Sequence, residues 1–177
     1  MAHPTDATAP AAGMVNILSV IRRYRLRDFP RRFSPDDLHH VGIPFIDVDR
    51  TMHALKLLDL LTPNETPTER FQTIQEVESE EDYHAALEQL LRDVYEPIFE
   101  LVPDPANASD MKMRSAFREY EPPEERERML ALFRALCAEA GMIDQASGLI
   151  PPILGTSSRN RQVMQQYQKD QEASSQG

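Results

Sequence analysis

From Tyr83 to Leu101 apolar side chains return every third or fourth residue, as Tyr83, Leu87, Leu90, Val94, Ile98 and Leu101, with polar and charged residues filling the gaps. That is the period of one face of an α-helix, and no strand alternation fits it. Ser79 supplies the start, because a serine hydroxyl satisfies a free amide of the first turn. Glu80, Glu81 and Asp82 then suit the positive end of the helix dipole. Pro97 lacks the amide that would bond back to Asp93, so a kink is expected near the last turn.

The same period governs the rest of the chain. Met14, Ile17, Leu18, Ile21 and Tyr24 predict a helix over 14–24. In Ser34-Pro35-Asp36-Asp37 a serine cap precedes a proline at the first helical position and an acid at the third, which predicts a short helix towards Val41, ended by Gly42. Asp47 is expected to cap a third helix with Val48, Met52, Leu55 and Leu58 inward. Asp49, Arg50, His53 and Lys56 then face outward, with Leu57 an apolar exception among them. The prolines of TPNETPTERF demand a turn, after which Thr66-Pro67-Thr68-Glu69 repeats the capping logic. Asn107 or Ser109 is expected to cap a short helix carrying Met111, Met113, Ala116 and Phe117. Pro122 and Pro123 open a last long helix, in which Met129, Leu132, Phe133, Leu136 and Ala140 face the core and Gly141 marks the end.

A chain of 177 residues, 41% hydrophobic, can bury one ordinary core. Residues 1–13 are mostly Ala, Pro, Thr and Asp, and residues 155–177 are rich in Ser, Gln and Arg, so both ends read as disordered. No window approaches the run of about 18 apolar residues that a membrane span needs, and the start resembles no signal peptide, so a cytoplasmic protein is expected. Cys137 is the single cysteine, which excludes an internal disulfide and a cysteine metal cage within one chain. The six glycines form neither GxGxxG nor GxxxxGK[ST], so recognised nucleotide-phosphate loops are absent. No catalytic residue, cofactor, metal site or small-molecule substrate is evident, and an enzyme is not expected. His39 and His40 are adjacent and point about 100° apart on a helix, which suits no single ion; His3, His53 and His84 have no spaced partner.

Charge is unevenly placed. Residues 1–60 hold eight bases and seven acids, with Arg22, Arg23, Arg25, Arg27, Arg31 and Arg32 crowded together, whereas residues 65–125 hold seventeen acids and five bases. The net charge of −10 is therefore concentrated in the middle.

Three segments in order, LLDLLTPNETPTERF, LLRDVYEPIFELVPDP and MRSAFREYEPPEERERMLALFRALCAEAGM, with GIPFIDVDRTMHALKLL upstream, give the chain a likeness over about residues 14–142. It resembles the domain-of-unknown-function family numbered 5343. The resemblance implies a small, mainly α fold with a winged-helix-like first half, and it implies no catalytic residues. This chain carries Asp59-Leu60 where members of that family typically place a glycine after the third helix. The expected organisation is a compact multi-helix domain: a disordered 1–13, a winged-helix-like subdomain 14–76, a helical subdomain 77–142 packed on it, and a flexible tail 143–177.

Two functions compete. A helix-turn-helix reads double-stranded DNA with long donors on the outer face of its second helix while nearby cations grip phosphate. Arg50, His53 and Lys56 would be the readers, and Arg22, Arg23, Arg31 and Arg32 the phosphate contacts. The expected function is thus a DNA-associated or regulatory protein, opposed by an acidic net charge. The alternative is a protein-interaction adaptor, acting through its helical surface or through the tail segment 148–154, where Leu149, Ile150, Pro151, Pro152, Ile153 and Leu154 join apolar anchors to a stiff proline pair. A homodimer with paired half-sites would suit the first reading. Because residues beyond 154 offer almost nothing to bury, truncation after Leu154 should leave the helical circular-dichroism signal and the unfolding midpoint unchanged.

Overall fold

A computed structural model describes residues 8–144. Eight α-helices follow one another among them: α1 (Met14–Tyr24), α2 (Pro35–His40), α3 (Phe45–Leu57), α4 (Glu69–Glu76), α5 (Glu80–Val94), α6 (Glu96–Leu101), α7 (Asp110–Ala116) and α8 (Arg126–Glu139). Short 3-10 turns at Pro105–Asn107 and Pro123–Glu125 lead into the last two. No strand forms among the described residues; an isolated antiparallel bridge joins Leu61 to Pro67. No helix among them is long and apolar enough to cross a membrane.

The last helix sets the arrangement. Every residue from Leu132 to Ala140 is buried, so α8 has no solvent face along that stretch. A helix buried on all sides must be surrounded, and α1, α5 and α7 pack against it. α1 also leans on α3, α2 packs against α3, and α4 packs against α5. One cluster of buried side chains runs from Ile17 and Ile21 through Leu38, Leu55 and Phe71 to Leu87, Ile98 and Phe133. Two aromatic groups anchor its ends. Tyr24, Phe29, Phe33 and Phe71 meet with centroids 4.5–6.2 Å apart, which pins the 25–33 loop onto α4. Phe133 holds the second, with Tyr95 at 4.9 Å, Phe99 at 5.5 Å and Phe117 at 5.6 Å.

Several expectations need correction. The helix from Ser79 does not kink and continue: α5 ends at Val94, Tyr95 takes φ −107°, and α6 begins anew with Pro97 in its first turn. The missing amide is harmless only there, where no bond is due. Leu101, freed from the α5 register, is 57% exposed. Asp47 is not the cap of α3; Pro44 takes that position, and Asp47 becomes the third helical residue. Thr68, not Thr66, caps α4 by accepting from the Phe71 amide, while Thr66 shares a hydroxyl contact with Thr62. Residues 8–13 are not loose, for Ala9, Pro10 and Ala12 are buried, as is Ile143 beyond α8. Met111, on the same short helix as the buried Met113 and Ala116, is 81% exposed.

The turn after α3 is made without glycine. Asp59 adopts φ +55°, a left-handed conformation that lets the Leu60 and Leu61 amides turn back onto the Leu55 carbonyl. The Asp59 carbonyl accepts from the Thr68 hydroxyl at 2.6 Å, which closes the loop. A β-branched residue at such a φ costs about 1–2 kcal/mol and glycine nothing. Asp59→Val should lower stability in urea by about that amount relative to Asp59→Gly, with the loss of the Asp59–Arg70 ion pair common to both.

Candidate interaction surface at the α2–α3 corner

The corner is built by two anchors and a turn. Ser34 Oγ accepts from the Asp37 amide at 3.3 Å, and the Asp37 carboxylate accepts from the Ser34 amide at 2.8 Å, so the start of α2 is reciprocally capped. Leu38 is wholly buried. The chain then reverses at Gly42, whose φ of +102° excludes other residues on backbone grounds although open space surrounds it. The Ile43 amide donates to the Leu38 carbonyl at 3.2 Å, and Ile43 is buried beside it.

With Leu38 and Ile43 fixed inside and Pro44 starting α3, the next two side chains fall outside. Phe45 is 62% exposed and Ile46 is 91% exposed. Six large apolar residues are exposed among those described, and these two alone are neighbours in sequence. The His39 ring stacks on Phe45, with centroids 3.9 Å apart and planes 18° from parallel. His39 Nδ1 lies 3.2 Å from the Ile43 carbonyl, which can only accept, so that nitrogen carries the proton. The phenyl ring is thereby held open rather than folded inward. Asp36 at the start of α2 is exposed, and in the first turns of α3 Asp49 is exposed and Asp47 half-buried. The sequence signal for this site was Pro44, which moves the start of α3 forward; an Asp47 cap would have left Phe45 and Ile46 in a loop.

The expected nucleic-acid residues are distributed differently. Arg32 donates from Nε and Nη2 to one Glu65 oxygen at 3.0 and 2.7 Å, while Lys56 reaches the other at 3.1 Å. Hydrogen bonds from Arg32, then Lys56, hold the Glu65 carboxyl below its usual range. Arg50 places Nη1 2.8 Å from both oxygens of Glu125, just before α8. Arg22 lies at the other end of α8, gripping Glu139 at 3.0 and 2.5 Å. Arg23, Arg31 and His53 have no side-chain partner among the described residues. The structure thus brings Arg32 and Lys56 together and separates both from Arg22 and Arg50. Leu149, Ile150, Pro151, Pro152, Ile153 and Leu154 lie outside the described residues.

No group of three His, Cys, Asp or Glu among the described residues is arranged to hold a metal. His40 Nδ1 meets the Asp36 carbonyl at 2.7 Å, and His84 approaches Glu80 at 3.9 Å. Cys137 is buried in α8, and burial pushes its thiol up to about 12, the reverse of what a nucleophile needs.

A family model described as a family of unknown function, DUF5343, matches residues 10–147. No curated protein and no solved structure matches the chain.

The half-buried tie at the end of α8 gives a pH prediction. Glu139 also accepts from the Tyr83 hydroxyl at 2.9 Å, so one carboxylate joins α1, α5 and α8. Burial alone would raise its pKa, but the Arg22 and Tyr83 bonds outweigh this and hold the carboxyl below its usual range. A depressed carboxylate stabilises the fold above its unfolded pKa and ceases to do so as pH falls through the folded one. Glu139→Gln should lower the melting temperature at neutral pH and flatten its decline below about pH 4.5, measured by thermal scans across pH.

Proposed function

We infer the role of this chain, which belongs to the family of unknown function DUF5343, from its surface: the α2–α3 corner docks another protein, and the chain is a non-enzymatic adaptor. The observation that carries this is the adjacent exposure of Phe45 and Ile46 on a backbone fixed by Leu38, Gly42 and Ile43. Aromatic and aliphatic anchors presented on a rigid element are what interface centres use, since little freedom is lost on binding. The partner's chemistry follows from the charges around them. Asp47 and Asp49 follow the pair in the first turns of α3, so the segment it takes carries an apolar residue among lysines or arginines.

The first half reads as winged-helix-like, with α2 and α3 joined by a four-residue turn and the bridged loop 61–67 following. In that arrangement the outer face of α3 would meet DNA. Here that face offers Ile46, Asp49, His53 and an Arg50 already engaged by Glu125. Three carboxylates near the corner would oppose phosphate. The DNA-associated reading rests on Arg23 and Arg31.

One experiment separates them. The full chain is used to select from a displayed peptide library, and in parallel is titrated with random duplex DNA at low and moderate salt. Selected peptides should pair an apolar anchor with basic flanks, and Ile46→Asp or Phe45→Ala should each cost about 2 kcal/mol of binding without lowering the melting temperature. Binders indifferent to both changes, or none, would remove the docking reading. Duplex binding that falls steeply with salt and is lost on changing Arg23 and Arg31 to glutamine would install the DNA-associated one.

A further inference from the structure

The groove between α7 and the first turns of α8 combines features found apart elsewhere in the molecule. A cavity of about 470 Å³ opens there, within the range of about 300–1,000 Å³ that small-molecule sites occupy. Phe117 and Leu130, both almost fully buried, form its inner wall, and Met111 stands exposed at the rim. Methionine is the apolar side chain that adapts most easily to an incoming shape.

Three arginines line the same cavity: Arg114, Arg118 and Arg126. Arg114 donates from Nε to Asp110 at 2.6 Å and pairs with Glu127. Asp110 is shared, for Arg134 reaches its other oxygen at 2.6 Å. Arg126 donates from Nε to the Tyr120 carbonyl at 2.6 Å and from Nη2 to Glu121 at 3.2 Å. Arg118 has no side-chain partner among the described residues. Four arginines therefore face three carboxylates, Asp110, Glu121 and Glu127, and one positive charge is left over. This surplus sits within a stretch where seventeen acids outnumber five bases. Each guanidinium has five N–H groups, so Arg114 and Arg126 retain donors beyond those already used.

We propose that this groove binds a small organic anion, a carboxylate with a short apolar body. The carboxylate takes the fork of Arg118 and spare donors of its neighbours, a geometry that planar guanidinium groups match in pairs. The apolar body lies along Met111, above the buried Phe117 and Leu130.

The test follows backbone amide resonances of the full chain during titration with 4-phenylbutyrate and, separately, with 4-phenylbutanol, which has the same body and no charge. Phenylbutyrate should shift the amides of residues 110–118 and 126–130 and bind at least about tenfold better than the alcohol. Arg118→Gln should weaken phenylbutyrate about tenfold while leaving the melting temperature unchanged, since no partner is lost. Arg118→Lys, which keeps the charge but not the planar fork, should bind more weakly than the parent and better than Arg118→Gln. Absence of shifts, equal binding of the two compounds, or an Arg118→Gln protein that binds as well as the parent would each overturn the proposal.

Discussion

The burial of α8 on every side is the constraint on which the remaining helices depend. A helix that passes through the core must bring its charged residues with it, and two are present in the enclosed stretch, Arg134 and Glu139. An unpaired charge there would cost several kcal/mol, so each has to be met from outside. Asp110 comes from the start of α7 to meet Arg134, and Arg22 comes from the end of α1 to meet Glu139. The two pairs sit at opposite sides of α8 and fix how far α7 and α1 slide along it. Apolar packing, which has no direction, supplies most of the free energy; the ion pairs supply the register.

The same pairing logic shapes the surface. An acidic chain with clustered arginines could present a basic patch, but the carboxylates of Glu65, Glu125 and Glu139 lie where they engage four of the cations. The pairs made by Glu65 and Glu125, unlike that of Glu139, lie at the surface and contribute little to stability. Their effect on recognition is larger, because the carboxylate already held by an engaged guanidinium repels a second anion. Where a cation is left over, as at Arg118, recognition of an anion carries no such cost.

Local signals in the sequence were read well where a single residue was competent for each task. The bounds of α1 follow from its apolar period, and Ser34, Ser79 and Ser109 are caps as their context requires. Reading failed where two residues competed. Thr66 and Thr68 both suit a cap, and the bridge between Leu61 and Pro67 decides for Thr68 by committing Thr66 to the turn. Pro44 and Asp47 competed likewise, and the choice exposed Phe45 and Ile46. The pairs Arg50–Glu125 and Arg22–Glu139 join residues 75 and 117 positions apart, a separation at which one sequence carries no signal. The burial of Ala9 and Ala12 was illegible for the reverse reason, since small residues have no period to show.

Glu65 serves two cations from different elements, the loop before α2 and the outer side of α3. Its own backbone, at φ +64°, holds the Phe33 amide, so the position is fixed by main chain as well as by charge. The polarity of this side of the molecule is consequently a property of one codon. Exchange of that glutamate for lysine would turn a trio of two cations and one carboxylate into three like charges, and a related chain with that exchange would present a strongly cationic face on the same scaffold.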